Sequence, residues 1–342
     1  MWYNIVANKK FNIIKEKKMK KLLSLILVLT LALCAFVGCG DEPVVPDGDQ
    51  TPGDTTPAEK NYTLAMGVVV SDSLATSKVT TTVASVVIDA DGKIVLCKFD
   101  CVDYSAWDSE AEEIKTTAPT SKVDLGDYYT MPAGSWAKQT EALANYVKGM
   151  TQAEVAAIAL NEEGKTTAAE LTATCTFAIP ELLEAIDNAF KSEHKVSFKS
   201  TATAFTAGLS YVGAVSDTST DATEEVPASA NAKYSVTFAG VVLAEGKVVA
   251  AILDTAESEL KGITADGADS ISYKGTKREQ GDNYTMPAGA WYAQADAYTA
   301  AAVGLTAENV ASLATEGVAG CTMQNTVGAY KAAIEKAVKA AK

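Results

Sequence analysis

"KVTTTVASVVIDADGKIVLCKFDCV" spans Lys78–Val102, and "KYSVTFAGVVLAEGKVVAAILD" spans Lys233–Asp254. Each places two runs rich in β-branched residues on either side of an acidic residue followed by glycine, Asp91-Gly92 in the first and Glu245-Gly246 in the second. Glycine enters the positive-φ region that tight hairpin turns require, so both stretches predict antiparallel hairpins.

Working outward, the same landmarks recur in the same order. "LGDYYTMPAGSWAKQ" (Leu125–Gln139) and "QGDNYTMPAGAWYAQ" (Gln280–Gln294) agree at ten of fifteen positions, too many for chance. "VSDS" from Val70 answers "VSDT" from Val215, and "CTF" from Cys175 answers "CTM" from Cys321. One unit written twice is the expectation, with copies at 61–193 and 196–342, each near the modal domain size and each burying its own core.

Past the hairpins the period changes. Apolar and Ala positions recur at helical spacing over 134–148 and 289–303, with Met-Pro-Ala-Gly as the expected helix start. Thr151 with Glu154 forms a capping box that opens a short helix, and Thr306 is expected to open its counterpart. Leu182, Leu183, Ile186, Ala189 and Phe190 lie on one face of a final helix; Tyr330, Ala333, Ile334, Ala337 and Val338 do so in the second copy. Strands followed by helices give the expected fold class: α+β, two tandem repeats of one domain, each an antiparallel sheet with helices packed on one face.

The beginning of the chain has a different character. Residues 1–21 are rich in lysine, Leu22–Val37 is apolar or small throughout, and Phe36-Val37-Gly38-Cys39 ends the run. That order predicts a lipoprotein signal peptide over 1–38, with Cys39 lipidated and the protein held on the outer face of the cytoplasmic membrane. Met19 opens a compact signal of its own. Residues 39–60, rich in Pro, Asp, Gly and Thr, read as a solvated tether. The chain carries a formal charge of −14; without residues 1–38, which hold seven lysines and Glu16, the balance becomes −20. Such a charge repels nucleic acid and anionic lipid head groups, and neither is an expected partner.

The chemistry available is narrow. His194 is the one histidine and falls at the junction of the copies, so neither a His-based triad nor an ordinary zinc site is expected. No phosphate-binding loop and no dinucleotide-binding glycine pattern is present. The acidic run from Asp108 to Glu113 lacks calcium-loop spacing and reads as a solvated loop. In a strand, Cys97 and Cys101 would lie about 13 Å apart, too far to bridge. Trp136 with Gln139, and Trp291 with Gln294, could present a ring and an amide to a flat ligand. Equally, they could plug the core of each copy. Asp127 and Asp282, each after glycine, read as turn residues.

"DADGKIVLCKFD", "DYYTMPAGSWAKQTEALANYV" and "ELTATCTFAIPELLEAIDNAF" are similar in order and wording to the FMN-binding domain of bacterial surface lipoproteins and of the flavin-carrying subunit of the sodium-pumping NADH:quinone oxidoreductase. The likeness covers nearly the whole of both copies. In that family a phrase D-x-x-S-G-A-T ends in a threonine that a transferase esterifies with FMN. The corresponding phrases are "ELTATCT", from Glu170 to Thr176, and "EGVAGCT", from Glu316 to Thr322, the second keeping the glycine as Gly320. Ala173 and Ala319 replace the family's serine, Cys175 and Cys321 its alanine, and Thr174 its glycine in the first copy. The resemblance implies covalent FMN at Thr176 or Thr322, with Glu170, Glu316, Gly320 and the Trp and Gln pairs around it. It implies flavin carriage or electron relay at the cell surface, a flavin transferase and a membrane electron donor as partners, and no catalytic residue of the protein's own. A surface binding or structural module that kept the fold and lost the flavin is the alternative.

Overall fold

In a computed structural model, residues 58–223, 228–323 and 327–342 are described. The expected signal, Cys39 and residues 39–57 of the tether lie outside them. The described residues belong to one compact unit.

The first half begins with three long strands, β1 (Lys60–Ser73), β2 (Lys78–Asp89) and β3 (Ile94–Ser105). A small hairpin, β4 (Trp107–Asp108) and β5 (Glu113–Ile114), and a single helical turn, α1 (Lys122–Leu125), follow. A second small hairpin, β6 (Thr130–Met131) and β7 (Gly134–Ser135), runs directly into α2 (Trp136–Tyr146). Then come α3 (Gln152–Ala156), α4 (Pro180–Lys191) and β8 (Val196–Ser200). The second half holds β9 (Thr206–Asp217), β10 (Ala232–Ala244), β11 (Lys247–Lys261) and β12 (Ser270–Tyr273). The hairpin β13 (Thr285–Met286) and β14 (Gly289–Ala290) leads into α5 (Trp291–Ala300), and α6 (Val327–Ala340) closes the fold.

Two four-stranded antiparallel sheets result, ordered β3-β2-β1-β8 and β12-β11-β10-β9. Both expected hairpins form, with different turns. Glu245 (φ 51°) and Gly246 (φ 76°) alone join Ala244 to Lys247, as a two-residue turn with positive φ at both positions requires. In the first hairpin the Asp89 carboxylate accepts hydrogen bonds from the backbone N–H groups of Asp91 and Lys93, and Gly92 takes φ 75°. β8 adds to the free edge of β1, so the expected second segment, 196–342, gives its first five residues to the other half's sheet.

Strand alternation sorts the side chains into layers. In β2, Val79, Val83 and Val87 face the opposite sheet, while Ala84, Val86 and Ile88 face helices. In β10, Val236, Phe238 and Val242 face the first sheet, and Ala239, Val241 and Leu243 face helices. Both faces of these strands are buried, which is why "VASVVI" and "FAGVVL" are nearly continuous apolar runs. The order of layers is helices, sheet, sheet, helices, and the two halves share the middle apolar layer. Tyr104 and Tyr234 stack across it with ring centroids 4.7 Å apart. Gly240 lets the sheets approach, since a Cβ there would sit 2.4 Å from Ser85 Oγ.

The final helices lie almost on the strand backbones. A Cβ on Gly67 of β1 would come within 2.1 Å of the Ala185 carbonyl oxygen in α4, and one on Gly208 of β9 within 1.8 Å of that of Ala337 in α6. Pro180 at the first turn of α4 supplies a helical φ and lacks the N–H that a first turn leaves unpaired. α4 buries Leu182, Ala185, Ile186 and Ala189, with Leu183 and Phe190 half-buried beside them. α6 buries Tyr330, Ala333, Ile334, Ala337 and Val338, all five expected positions. Burying each large aliphatic side chain contributes about 1.5–3 kcal/mol.

Two local expectations are corrected. Met-Pro-Ala-Gly does not start a helix: it is the turn of β6–β7, where Thr130 pairs with Ser135 and Met131 with Gly134, and the helix begins at Trp136. Gly134 (φ 110°) and Gly289 (φ 111°) hold a backbone conformation that L side chains rarely adopt and that no helix contains. The capping box at Thr151 forms with both of its hydrogen bonds, but Thr306 opens no helix: a turn follows it, and a 3-10 turn at Val310–Ser312 is capped by Asn309. The residue three beyond Thr306 is this Asn309, a weaker helix former than Glu154.

Candidate functional site

Trp136 and Gln139 lie three apart in the first turn of α2, so both point from one face into the core. Gln139 is 1% exposed and bonded at both ends of its amide. Its Oε1 accepts from the Thr176 N–H (2.8 Å) and the Thr176 hydroxyl (3.1 Å), and its Nε2 donates to the Gly134 carbonyl (3.0 Å). Gln294, also 1% exposed, repeats this in α5. It accepts from the Thr322 N–H and hydroxyl, each at 2.8 Å, and donates to Gly289 at 3.0 Å. The glutamine therefore ties the small hairpin, the helix start and the end of the threonine phrase into one knot in both halves.

The tryptophans are core residues. Trp136 is buried and lies 6.2 Å from the Phe177 ring; Trp291 is buried, with its indole N–H donating to the Tyr330 hydroxyl at 3.0 Å. Of the two roles open to them, ligand stacking or core plug, burial of both rings favours the plug. Met131 and Met286 pack half-buried against the same cores.

Apart from buried Leu171 and Cys175 and the half-buried Val318 and Cys321, the rest of the threonine phrase lies at the surface. Glu170, Glu316 and Gly320 are exposed, as is Thr322, whereas Thr176 is half-buried. Gly320 takes φ 77°, which no other residue adopts without strain; Thr174, facing its own turn, donates to the Leu171 carbonyl. Cys175 is buried, and burial pushes its thiol up to about 11; Cys321 is half-buried. Cys97, Cys101, Cys175 and Cys321 are all free thiols. The hollow lined by Glu316, Gly317, Cys321 and Tyr298 measures about 30 Å³, room for a water molecule or two, against about 300–1,000 Å³ for a typical ligand pocket. This hollow does not fit an enclosed flavin ring.

Beneath each hairpin lies a cluster that reading the sequence missed. Asp103 pairs with Lys78 (3.1 Å) and Lys122 (3.3 Å); Glu257 pairs with Lys233 (3.2 Å) and Lys277 (3.0 Å). Burial pushes both carboxyls up, but the lysines, with Thr80 beside Asp103, outweigh it and hold them below the usual range. Lys122 lies 5.5 Å from the Tyr129 ring centroid and Lys277 5.0 Å from that of Tyr284.

Two further carboxyls are buried outright. Asp100 Oδ1 accepts from the Cys101 N–H (2.8 Å) and the Val123 N–H (3.3 Å); Asp254 Oδ1 accepts from the Thr255 N–H (2.7 Å) and the Arg278 N–H (3.1 Å). Burial pushes Asp100 up to about 7 and Asp254 up to about 6. The available signal was an upstream extension of the repeated phrase: Ser121-Lys122 and Thr276-Lys277 stand at the same distance before Gly-Asp.

His194 stacks on Tyr292, with centroids 3.6 Å apart, and its carbonyl accepts from Arg278 Nη1 at 2.9 Å. Arg278, 2% exposed, also pairs with Asp296. The junction histidine is thus a packing residue. Among the described residues no three His, Cys, Asp or Glu side chains are grouped to hold a metal ion, and no helix is long and apolar enough to cross a membrane. No family model, no curated protein and no solved structure matches the chain.

Proposed function

We propose that the chain is an exported, lipid-anchored surface module of two tandem copies of one α+β unit, in which the threonine phrase is a structural latch. The observation that carries this reading is the twofold Gln–Thr knot. In both halves the threonine hydroxyl is spent on a buried glutamine that also closes the hairpin. Esterifying that oxygen would remove the hydrogen it donates and leave Gln Oε1 with one partner fewer. The repeated order of strands, hairpin and closing helix supports duplication, with the sheets back to back. The expected lipidation of Cys39 and the tether that follows it, which ends before β1 begins at Lys60, would hold the module near the membrane, on the outer face of the cell.

A second reading, flavin carriage or electron relay with FMN at Thr322, has one observation in its favour: Thr322 is exposed. There the protein would supply attachment and electrostatics, and a flavin transferase and a membrane electron donor would be its partners. The intact mass and visible spectrum of the mature chain, produced alongside a flavin transferase, separate the two. The latch reading expects an unmodified, colourless protein. A mass gain of one or two FMN phosphodiesters, lost in Thr322→Ala, would establish the flavin reading instead.

A further inference from the structure

A cleft of about 500 Å³ opens where the two halves meet at one side of the sheets. One wall is β3, an outer strand of its sheet, which contributes the consecutive residues Leu96–Phe99; the facing wall is the start of β9, an outer strand of the other. α2 supplies Ala137 and Ala144 as a third wall. Past Leu96, Lys148 and Phe205 the cleft continues into a second hollow of about 560 Å³, which shares those three residues. Each volume lies in the range of small-molecule sites, and together they make an elongated groove.

The lining has two characters. Phe99, Leu209 and Phe205 give it an apolar floor, while Lys98 and Lys148 stand along it. Among the described residues neither lysine is in an ion pair. Glu141 is the one acidic side chain of the first hollow, and Lys342 is a third lysine in its lining. In the second, the Asp89 carboxylate is already committed to the turn, and the lining also holds Asp91 and Lys60, one charge of each sign. A lysine-lined apolar groove on a chain of formal charge −14 is a local reversal of sign. Lys98 is half-buried, so its charge is less screened than one in open water.

We propose that this groove binds a small amphipathic monoanion of the fatty-acid class, its acyl chain lying along Phe99, Leu209 and Phe205 and its carboxylate paired with Lys98 and Lys148. Binding is non-covalent and uses none of the residues of the Gln–Thr knots, so it stands or falls separately from the reading above.

Calorimetric titration of the chain from residue 56 onward with dodecanoate, below its micelle concentration, tests this. One saturable site per chain is expected, with the cationic amphiphile dodecyltrimethylammonium binding at least about tenfold more weakly. Lys98→Met should weaken dodecanoate about fivefold, and Ala144→Trp, filling the third wall, should abolish binding with the melting temperature retained. Absence of saturable heat, equal affinity for the cationic amphiphile, or wild-type affinity in Lys98→Met would overturn the proposal. Should Ala144→Trp fail to fold, Lys98→Met and the cationic amphiphile decide alone.

Discussion

Gln139 and Thr176, 37 positions apart, meet through two hydrogen bonds to a single amide oxygen. Gln294 and Thr322, 28 positions apart, meet in the same way. A buried glutamine bonded at both its oxygen and its nitrogen is a stabilising group only while its partners stay, because a stranded donor or acceptor costs about 1–3 kcal/mol.

Gln139→Leu fills similar volume but strands the Thr176 N–H and the Gly134 carbonyl. It should lower the unfolding free energy by about 2–4 kcal/mol in urea denaturation. A loss below about 0.5 kcal/mol would mean that water replaces the amide without penalty.

Gly67→Val would drive a side chain into the backbone of α4, since even a Cβ would lie 2.1 Å from the Ala185 oxygen. The helix must lift off the sheet, and a loss of more than about 3 kcal/mol is expected. Gly92→Ala is the control: φ is 75° and a Cβ there would meet nothing within 4 Å, so only the cost of the left-handed backbone, about 1–2 kcal/mol, should appear. Thermal melts of the two variants should therefore differ widely.

Asp100 and Asp254 make stability depend on pH. Their folded values, about 7 and about 6, lie above the ordinary 3.8 of an unfolded aspartate, so the folded state binds protons more tightly. Their contribution is fully present below about pH 4 and is lost as pH rises through about 6 to 7. Asp103 and Glu257, held low by their lysines, act in the opposite sense, and their contribution is lost as pH falls below the usual carboxylate range. Asp100→Asn keeps an oxygen for the Cys101 and Val123 N–H groups and removes the charge. It should flatten the decline between pH 4 and 8 by on the order of a few kcal/mol, read from urea midpoints across that range. An unchanged slope would contradict the assignment.

Trp291→Phe removes the donor to a buried Tyr330 hydroxyl. A loss of about 1–3 kcal/mol is expected, and Trp291→Phe combined with Tyr330→Phe should be less damaging than the sum of the singles. Additive losses would show that the 3.0 Å contact contributes nothing.

The hairpins were legible because their turns are local chemistry: Asp91-Gly92 and Glu245-Gly246 need no distant partner. The closing helices were legible because every third or fourth residue is apolar. The Met-Pro-Ala-Gly turn was misread because proline marks hairpin turns and helix starts alike, and only the φ of Gly134 separates them. The double-sheet layering was hidden because Val83 and Ala84, adjacent in one apolar run, belong to different cores. Asp100 carried no readable role and Gln139 was legible only as one half of a pair with Trp136, since a polar residue's burial is understood only when its partner, here 23 or 37 positions away, has been found.

The most direct test of the latch is a double-mutant cycle on Gln294 and Thr322, using Gln294→Leu, Thr322→Val and the pair, with unfolding followed in urea. The latch account predicts a coupling of about 1 kcal/mol or more, with the pair less destabilised than the singles together. Coupling indistinguishable from zero would contradict it, and would leave the Thr322 hydroxyl free for another role.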